Sequence, residues 1–132
     1  MTTRRTVSSG GPWEELVGYS RAVAAGDHIW VTGCTAVKDG EVRHEGDAYA
    51  QTVLAIQNVA WALSQLDASL SDVVRTRIFV TDIDRWAEYG RAHREAFGEV
   101  MPATSMVEVS RLIDPRMLVE VEAVAHKRGA GW

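Results

Sequence analysis

The sequence holds a single cysteine, Cys34, among 132 residues. An intramolecular disulfide is therefore excluded, and a reducing compartment, the cytoplasm, is the simplest expectation for the chain. A lone thiol is more often a small apolar filler than a nucleophile, and nothing around Cys34 in sequence would lower its pKa. Apolar runs are short, and none approaches the roughly 20 residues that a membrane-spanning helix needs. The start, MTTRRTVSSGG, carries Arg4 and Arg5 with no apolar stretch behind them, so no secretory signal is expected. Basic charge is also scarce. Lys and Arg number 14 against 18 Asp and Glu, a formal net charge of −4, which argues against a phosphate-backbone ligand that needs a concentrated basic surface. The two basic pairs, Arg4 with Arg5 and Lys127 with Arg128, read as solvated ends. His28, His44, His93 and His126 show no metal-ligand spacing, and no thiol or carboxylate completes a site. Neither a nucleophile elbow nor a phosphate loop occurs. No metal and no cofactor are expected.

What remains is ordinary for a globular chain: 46% hydrophobic and 24% charged residues, without repeat, linker or low-complexity segment, expected as one domain over 1–132. GYSRAVAAGDHIWVTGCTAV reads as two strands joined by a tight turn at Gly26-Asp27. In the second, Ile29, Val31 and Gly33 would share one face, and Trp30, Thr32 and Cys34 the other. KDGEVRHEGD reads as a polar loop. A first helix follows, capped by Asp47, with the stripe Tyr49, Val53, Ile56, Ala60 and Leu63. DVVRTRIFVTD alternates as a strand. Asp82 and Asp84 mark the start of a second helix with the stripe Trp86, Tyr89, His93 and Phe97, and Gly98 as its C-cap. Two strands end the chain, separated by a turn at Asp114-Pro115. The order is β-β-α-β-α-β-β, with an extra strand possible in the amino-terminal tail.

Two helices cover only one face of such a sheet. Val119, Val121, Ala123 and Ala125 make a face fit for them. The opposite face carries Leu118, Glu120, Glu122 and Val124, joined by Thr104, Met106, Glu108 and Ser110 if the preceding strand is in matching register. That second face is too apolar for water and too charged for a plain core. Burial against another copy of the chain, with a wet cleft along the seam, resolves the conflict. The tryptophans read as core and seam anchors in preference to a base-stacking platform.

The landmarks GYSRAV, DHIWVTG, the helix residues Gln51, Thr52 and Asn58, SDVVRTRIFVTD and the closing P-A-x-S-x-V-x-V…VEVEAVA come in an order and spacing that resembles the Rid family, also called YjgF or endoribonuclease L-PSP. The similarity runs from about Tyr19 to Ala125. It implies an α+β, chorismate-mutase-like subunit with a mixed sheet and two helices on one face. It also implies a homotrimer that holds a small molecule in clefts between subunits. The best-studied relatives are deaminases that hydrolyse 2-imino and enamine acids to a 2-keto acid and ammonia. In them an arginine at the third position of P-A-R-S clamps the substrate carboxylate, and a glutamate of the last strand positions water. Here the glutamate is kept as Glu120, but Thr104 stands where the arginine would be. Tyr19, Thr32, Gly33 and Met106 match residues that line the cleft. A helix-two asparagine matches Gly90, and a nearby tyrosine matches His93.

A partly desolvated glutamate suits the activation of water for attack on a C=N bond, which makes Glu120 the candidate catalytic residue. Glu122 reads as structural. Thr104 offers one neutral donor, whereas a guanidinium holds a carboxylate through two charge-assisted bonds. 2-Imino acids are therefore disfavoured. His93 reads first as a packed side chain and second as the one group titrating near neutrality with a claim on the cleft. The leading expectation is a deaminase-like hydrolase acting on the C–N bond of a small imine-like or related electrophile. Its rivals are a non-catalytic metabolite-binding protein using the same cleft and, against the acidic balance, an endoribonuclease.

Overall fold

The computed structural model describes residues 4–127, so Arg128 lies outside the described residues. Strands β1 (Arg4–Val7), β2 (Ala22–Ala25), β3 (His28–Cys34), β6 (Val73–Val80), β7 (Ala103–Glu108) and β8 (Val119–His126) form one sheet in the order β1-β2-β3-β8-β6-β7. β6 and β7 are parallel and every other pairing is antiparallel. The expected β-β-α-β-α-β-β order holds, and the tail supplies the extra strand. Besides a 3-10 turn at Leu70–Asp72, three short elements escaped the sequence reading. One is a short helix α1 (Pro12–Val17); the others are the two-residue strands β4 (Val37–Lys38) and β5 (Glu41–Val42), which pair within the loop read as irregular.

The long helices α2 (Ala48–Ser64) and α3 (Trp86–Phe97) pack against one another, and the alternation of β8 shows which sheet face their layer covers. Val119, Val121, Ala123 and Ala125 are all buried, while the residues between them are only partly so. Asp47 caps α2 as expected, accepting from the Ala50 amide at 2.9 Å. The arc buried on α2 is wider than the expected stripe. Ile56 and Leu63 are in it, but so are Leu54, Ala55, Val59 and Ala62, whereas Tyr49, Val53 and Ala60 are half-buried. A helix wedged against both a sheet and another helix buries more than one stripe. Gln51 is buried for a polar reason. Its amide donates to the carbonyls of Arg43 at 3.2 Å and Arg116 at 2.9 Å and accepts from the Leu118 amide at 2.8 Å. It thus ties the entry of α2 to the start of β8. Asn58 does the same for the chain after β3, donating to Thr35 and Val37 carbonyls.

Along α3, Tyr89 and Phe97 are buried and His93 is half-buried, but Trp86 is 63% exposed. Trp30 and Trp61 are also exposed, so within one chain they are not core anchors. Gly98 ends α3 in a right-handed conformation, and Met101, with φ of 55°, takes the left-handed position expected of a glycine cap. Gly26, with φ of 59°, makes the tight turn between β2 and β3. At the other anticipated turn, Asp114 accepts from both the backbone and the guanidinium of Arg116, which hold its carboxyl down at about 2.

The register corrects two expectations. β3 contains a bulge between Val31 and Cys34, one residue longer than the facing stretch of β8. Alternation therefore breaks, and Cys34 turns into the core beside Val31 and Ile29. The second correction concerns β7. It does not adjoin β8, because β6 lies between them. Thr104, Met106 and Glu108 are in register with Thr76, Ile78 and Val80, which share the helix-covered face. Thr104 and Met106 are thus not on the open face with Glu120, and Ser110 lies beyond the end of the strand.

Candidate functional site

On the open face of β8, Glu122 is opposite Arg77 of β6 and is ion-paired to it at 2.7 Å. That is the structural role expected of it. Glu120 sits opposite Phe79 instead. Its other neighbour is Gly33, in the bulge. A Cβ on Gly33 would overlap the Glu120 side chain, so any larger residue there would have to push that carboxylate aside, at a backbone position that needs no positive φ. Burial pushes the Glu120 carboxyl above its ordinary value, the negative charge of Glu122 adds to that, and Arg21 opposes both.

Arg21 organises the surroundings of this carboxylate. Its Nη1 donates to the Gly33 carbonyl at 2.8 Å, its Nε to Ser9 Oγ at 3.3 Å, and its Nη2 lies 3.6 Å from Glu14 Oε2. The guanidinium stands 5.6 Å from the centre of the Tyr19 ring. Thr32 Oγ1 donates to the Ser20 carbonyl at 2.7 Å, closing the same corner. Tyr19, Thr32, Gly33 and Glu120 are therefore gathered by one short segment running alongside the bulge. Glu14, the buried carboxylate of α1, is 6% exposed. Burial alone would raise its pKa, but bonds from the Ser9 hydroxyl and amide, with help from Arg21, hold it below the ordinary value. Cys34 also touches Arg21, yet burial pushes its thiol up to about 11. It remains a protonated filler, not a nucleophile.

Thr104 belongs to a different cluster, at the edge strand. Its hydroxyl lies 2.7 Å from the hydroxyl of Thr76, which lies 2.9 Å from His93 Nε2. Thr104 also donates to the Pro102 carbonyl at 3.2 Å. The His93 ring is 4.6 Å from that of Phe97, and burial lowers its pKa. Met106 packs on the core below. Thr104, His93 and Met106 thus share one neighbourhood. Glu120 does not belong to it. The strand register puts Thr104 three residues from the level of Glu120 and two strands across, about 10 Å in each direction, on the other face. No chain folded this way can bring its own Thr104 to its own Glu120.

Sequence reasoning missed Arg21, Glu14 and Thr76. The first lies inside GYSRAV, and its signal was an arginine placed two residues after Tyr19 beside an otherwise apolar strand. Glu14 sits on a helix of six residues, too short to show periodicity. Two hollows, of about 610 Å³ between the β4–β5 hairpin and α2 and about 270 Å³ between α2 and α3, lie apart from both clusters. Glu120 lines neither of them. Among the described residues no group of three or more His, Cys, Asp or Glu could hold a metal ion, and no helix is long and apolar enough to cross a membrane.

Residues 13–127 match the family described as endoribonuclease L-PSP. The chain is 51% identical to a Mycobacterium tuberculosis protein solved as a member of the YjgF/YER057c/UK114 family. The match covers 94% of this chain and 99% of that one, with a TM-score of 0.86. An uncharacterized protein of Streptomyces coelicolor is 43% identical over 96% of this chain and 93% of its own length. The 3-aminoacrylate deaminase RutC of Acinetobacter baylyi is 35% identical over 84% and 88% respectively. The expected chorismate-mutase-like α+β fold is the fold of these structural neighbours.

Proposed function

The chain belongs to the endoribonuclease L-PSP family, also named YjgF/UK114, and from that premise we propose that it is a homotrimeric hydrolase of small imine- or enamine-like metabolites. Its sites lie between subunits. Each takes Tyr19, Thr32, Gly33 and Glu120 from one chain and Thr104, Met106 and His93 from the next. The carrying observation is the position of Glu120: a half-buried carboxylate with a raised pKa, wedged against Gly33 on a face that one chain leaves open. The separation of Thr104 from Glu120 within a chain supports a shared site over one contained in a single subunit.

In this reading the Glu120 carboxylate takes a proton from water as the oxygen adds to the carbon of C=N. The proton passes to nitrogen, the carbinolamine collapses, and ammonia leaves with a carbonyl compound as the other product. An enamine enters the same path after its β-carbon is protonated to give the imine. A carboxyl with a raised pKa suits both halves, since it must accept a proton and then return it. The 3-aminoacrylate deaminase relative acts on an enamine acid. Here Thr104 supplies one neutral donor where an arginine would clamp a carboxylate, so 2-imino acids are poor substrates.

The reading is tested by generating imines that carry no carboxylate in situ, with an amine oxidase acting on a primary amine, and following ammonia release. Wild type should accelerate release, and Glu120→Ala should not. Tight binding of such compounds with no acceleration by either protein would favour a metabolite-binding protein using the same cleft. That second reading draws on the missing arginine alone. RNA cleavage draws no support from the net charge of −4.

A further inference from the structure

Thr76 is polar, 0% exposed and on β6, one strand in from the sheet edge, and no step of the proposed hydrolysis uses it. Its hydroxyl has one proton and two neighbours, His93 Nε2 at 2.9 Å and Thr104 Oγ1 at 2.7 Å. Thr104 also has one proton, and at 3.2 Å it meets the Pro102 carbonyl, which can only accept. Satisfying all three contacts fixes every direction. Thr104 donates to Pro102, so Thr76 donates to Thr104, and Thr76 must receive from His93 Nε2–H. The reverse order would strip Pro102 of this donor and require His93 to carry its proton on the other ring nitrogen.

We propose that His93 and Thr76 are positioning residues that fix Thr104 as an outward hydrogen-bond donor, and that the cleft thereby selects a neutral carbonyl oxygen, as in an ester or amide, where an arginine would select a carboxylate. Thr104 is the exposed link of the chain and lies on an edge strand. Its proton need only swing from the long bond to Pro102 onto a ligand oxygen, while Thr76 continues to donate into the Thr104 oxygen. Hydrogen bonds in series polarise one another in the same sense, so the donor is strengthened without gaining charge. A single neutral donor matches one carbonyl lone pair, and it leaves a carboxylate uncompensated. The proposal rests on the reading that Thr104 lines the interchain cleft, and it narrows the substrate class from imine- or enamine-like metabolites to enamines conjugated to an ester or amide. Methyl 3-aminocrotonate is such a compound. Water would convert it to methyl acetoacetate and ammonia, with no redox change and no co-reactant.

Two measurements test this. Long-range proton–nitrogen correlation on histidine-labelled protein, at a pH where His93 is neutral, should show its proton on Nε2. Thr76→Val, which removes the hydroxyl but keeps the branched shape, should abolish that preference. A proton on Nδ1 in the wild type overturns the relay whatever the activity. The second measurement compares methyl 3-aminocrotonate with the free 3-aminocrotonate anion for turnover, and methyl acetoacetate with acetoacetate for binding by calorimetry. Wild type should favour each ester. Thr76→Val should weaken ester binding about fivefold, as expected for one lost neutral hydrogen bond, with KM moving more than kcat. His93→Gln should retain most of the preference because its amide can still donate, and His93→Leu should not. Equal handling of ester and anion, or no response to Thr76→Val, overturns the proposal. Ester-selective binding without turnover would defeat the hydrolytic reading and leave this selectivity standing.

Discussion

The surroundings of Glu120 and those of Thr104 solve the same problem, holding a polar group at a sheet surface, in opposite ways. Glu120 is held by charge and close contact. Arg21, itself fixed by Glu14 and Ser9, pins the Gly33 carbonyl, and Gly33 leaves just enough room for the carboxylate. Thr104 is held by a file of neutral hydroxyls ending on an imidazole whose pKa burial lowers. A group that must exchange protons with a substrate needs a tuned pKa, and buried charge supplies it. A group that only has to point needs direction, which a hydrogen-bond chain gives without the desolvation cost of a second buried cation. In the proposed reading, this division assigns chemistry to one side of an interchain cleft and selection to the other.

Removing the anion should separate the two sides most sharply. Glu120→Gln is expected to reduce hydrolysis by about 100-fold or more while ligand binding through the Thr104 side and the oligomeric state by sedimentation persist. Full activity would mean that the carboxylate does not handle water. The same substitution should leave thermal stability unchanged or raise it by about a few degrees at neutral pH. A carboxyl whose folded pKa is raised contributes stability below its ordinary value of 4.5 and loses it as pH rises through the folded value. The advantage of glutamine should therefore vanish in acid. Denaturation curves at pH 4 and pH 7 check the sign.

Gly33→Ala should cost roughly tenfold to 100-fold in kcat/KM, since its Cβ would displace the carboxylate that is proposed to activate water. Circular dichroism should show the fold kept. On the opposite side, Thr104→Arg should raise hydrolysis of 2-iminopropionate by about tenfold, equivalent to ~1.4 kcal/mol of transition-state clamping, and should lose that gain when combined with Glu120→Gln. Robust imino-acid hydrolysis by wild type, unchanged by the arginine, would show that the missing clamp is irrelevant. The smallest expected change, of about threefold at neutral pH, belongs to Arg21→Met. With the opposing cation removed, the acid limb of the pH–rate profile should move to higher pH because Glu120 ionises later. An unmoved limb would reduce Arg21 to a structural prop.

The alternation of Val119 to Ala125 with Glu120 and Glu122 made the two-faced sheet legible before any coordinates, because a period of two is a local property. The open face and the place of Glu120 on it followed from that alternation. The strand order was not local. Nothing in PATSMVEVSRLIDPRMLVEVEAVA says that β6 will separate the two runs, and the assumed adjacency put Thr104 beside Glu120 on the wrong face. The β3 bulge was equally hidden, since one inserted residue leaves the apolar pattern of Ile29 and Val31 intact and only afterwards exchanges the roles of Gly33 and Cys34. Gln51, Thr52 and Asn58 entered as landmarks of a resemblance, and their bonds to backbone carbonyls show them to be fold determinants.

The division of labour between the two sides depends on their meeting across two chains, and mixed oligomers test that directly. Glu120→Gln chains lack the base, and Thr104→Trp chains, with bulk on an exposed edge, have the selecting side blocked. Each variant alone should be inactive. Refolded together in equal amounts, they should recover about a quarter of wild-type hydrolysis, because half the chains bring an intact Glu120 and half of their neighbours an intact Thr104. Mixed oligomers that form and stay inactive would mean that Glu120 and Thr104 of neighbouring chains do not share a site, contradicting the account.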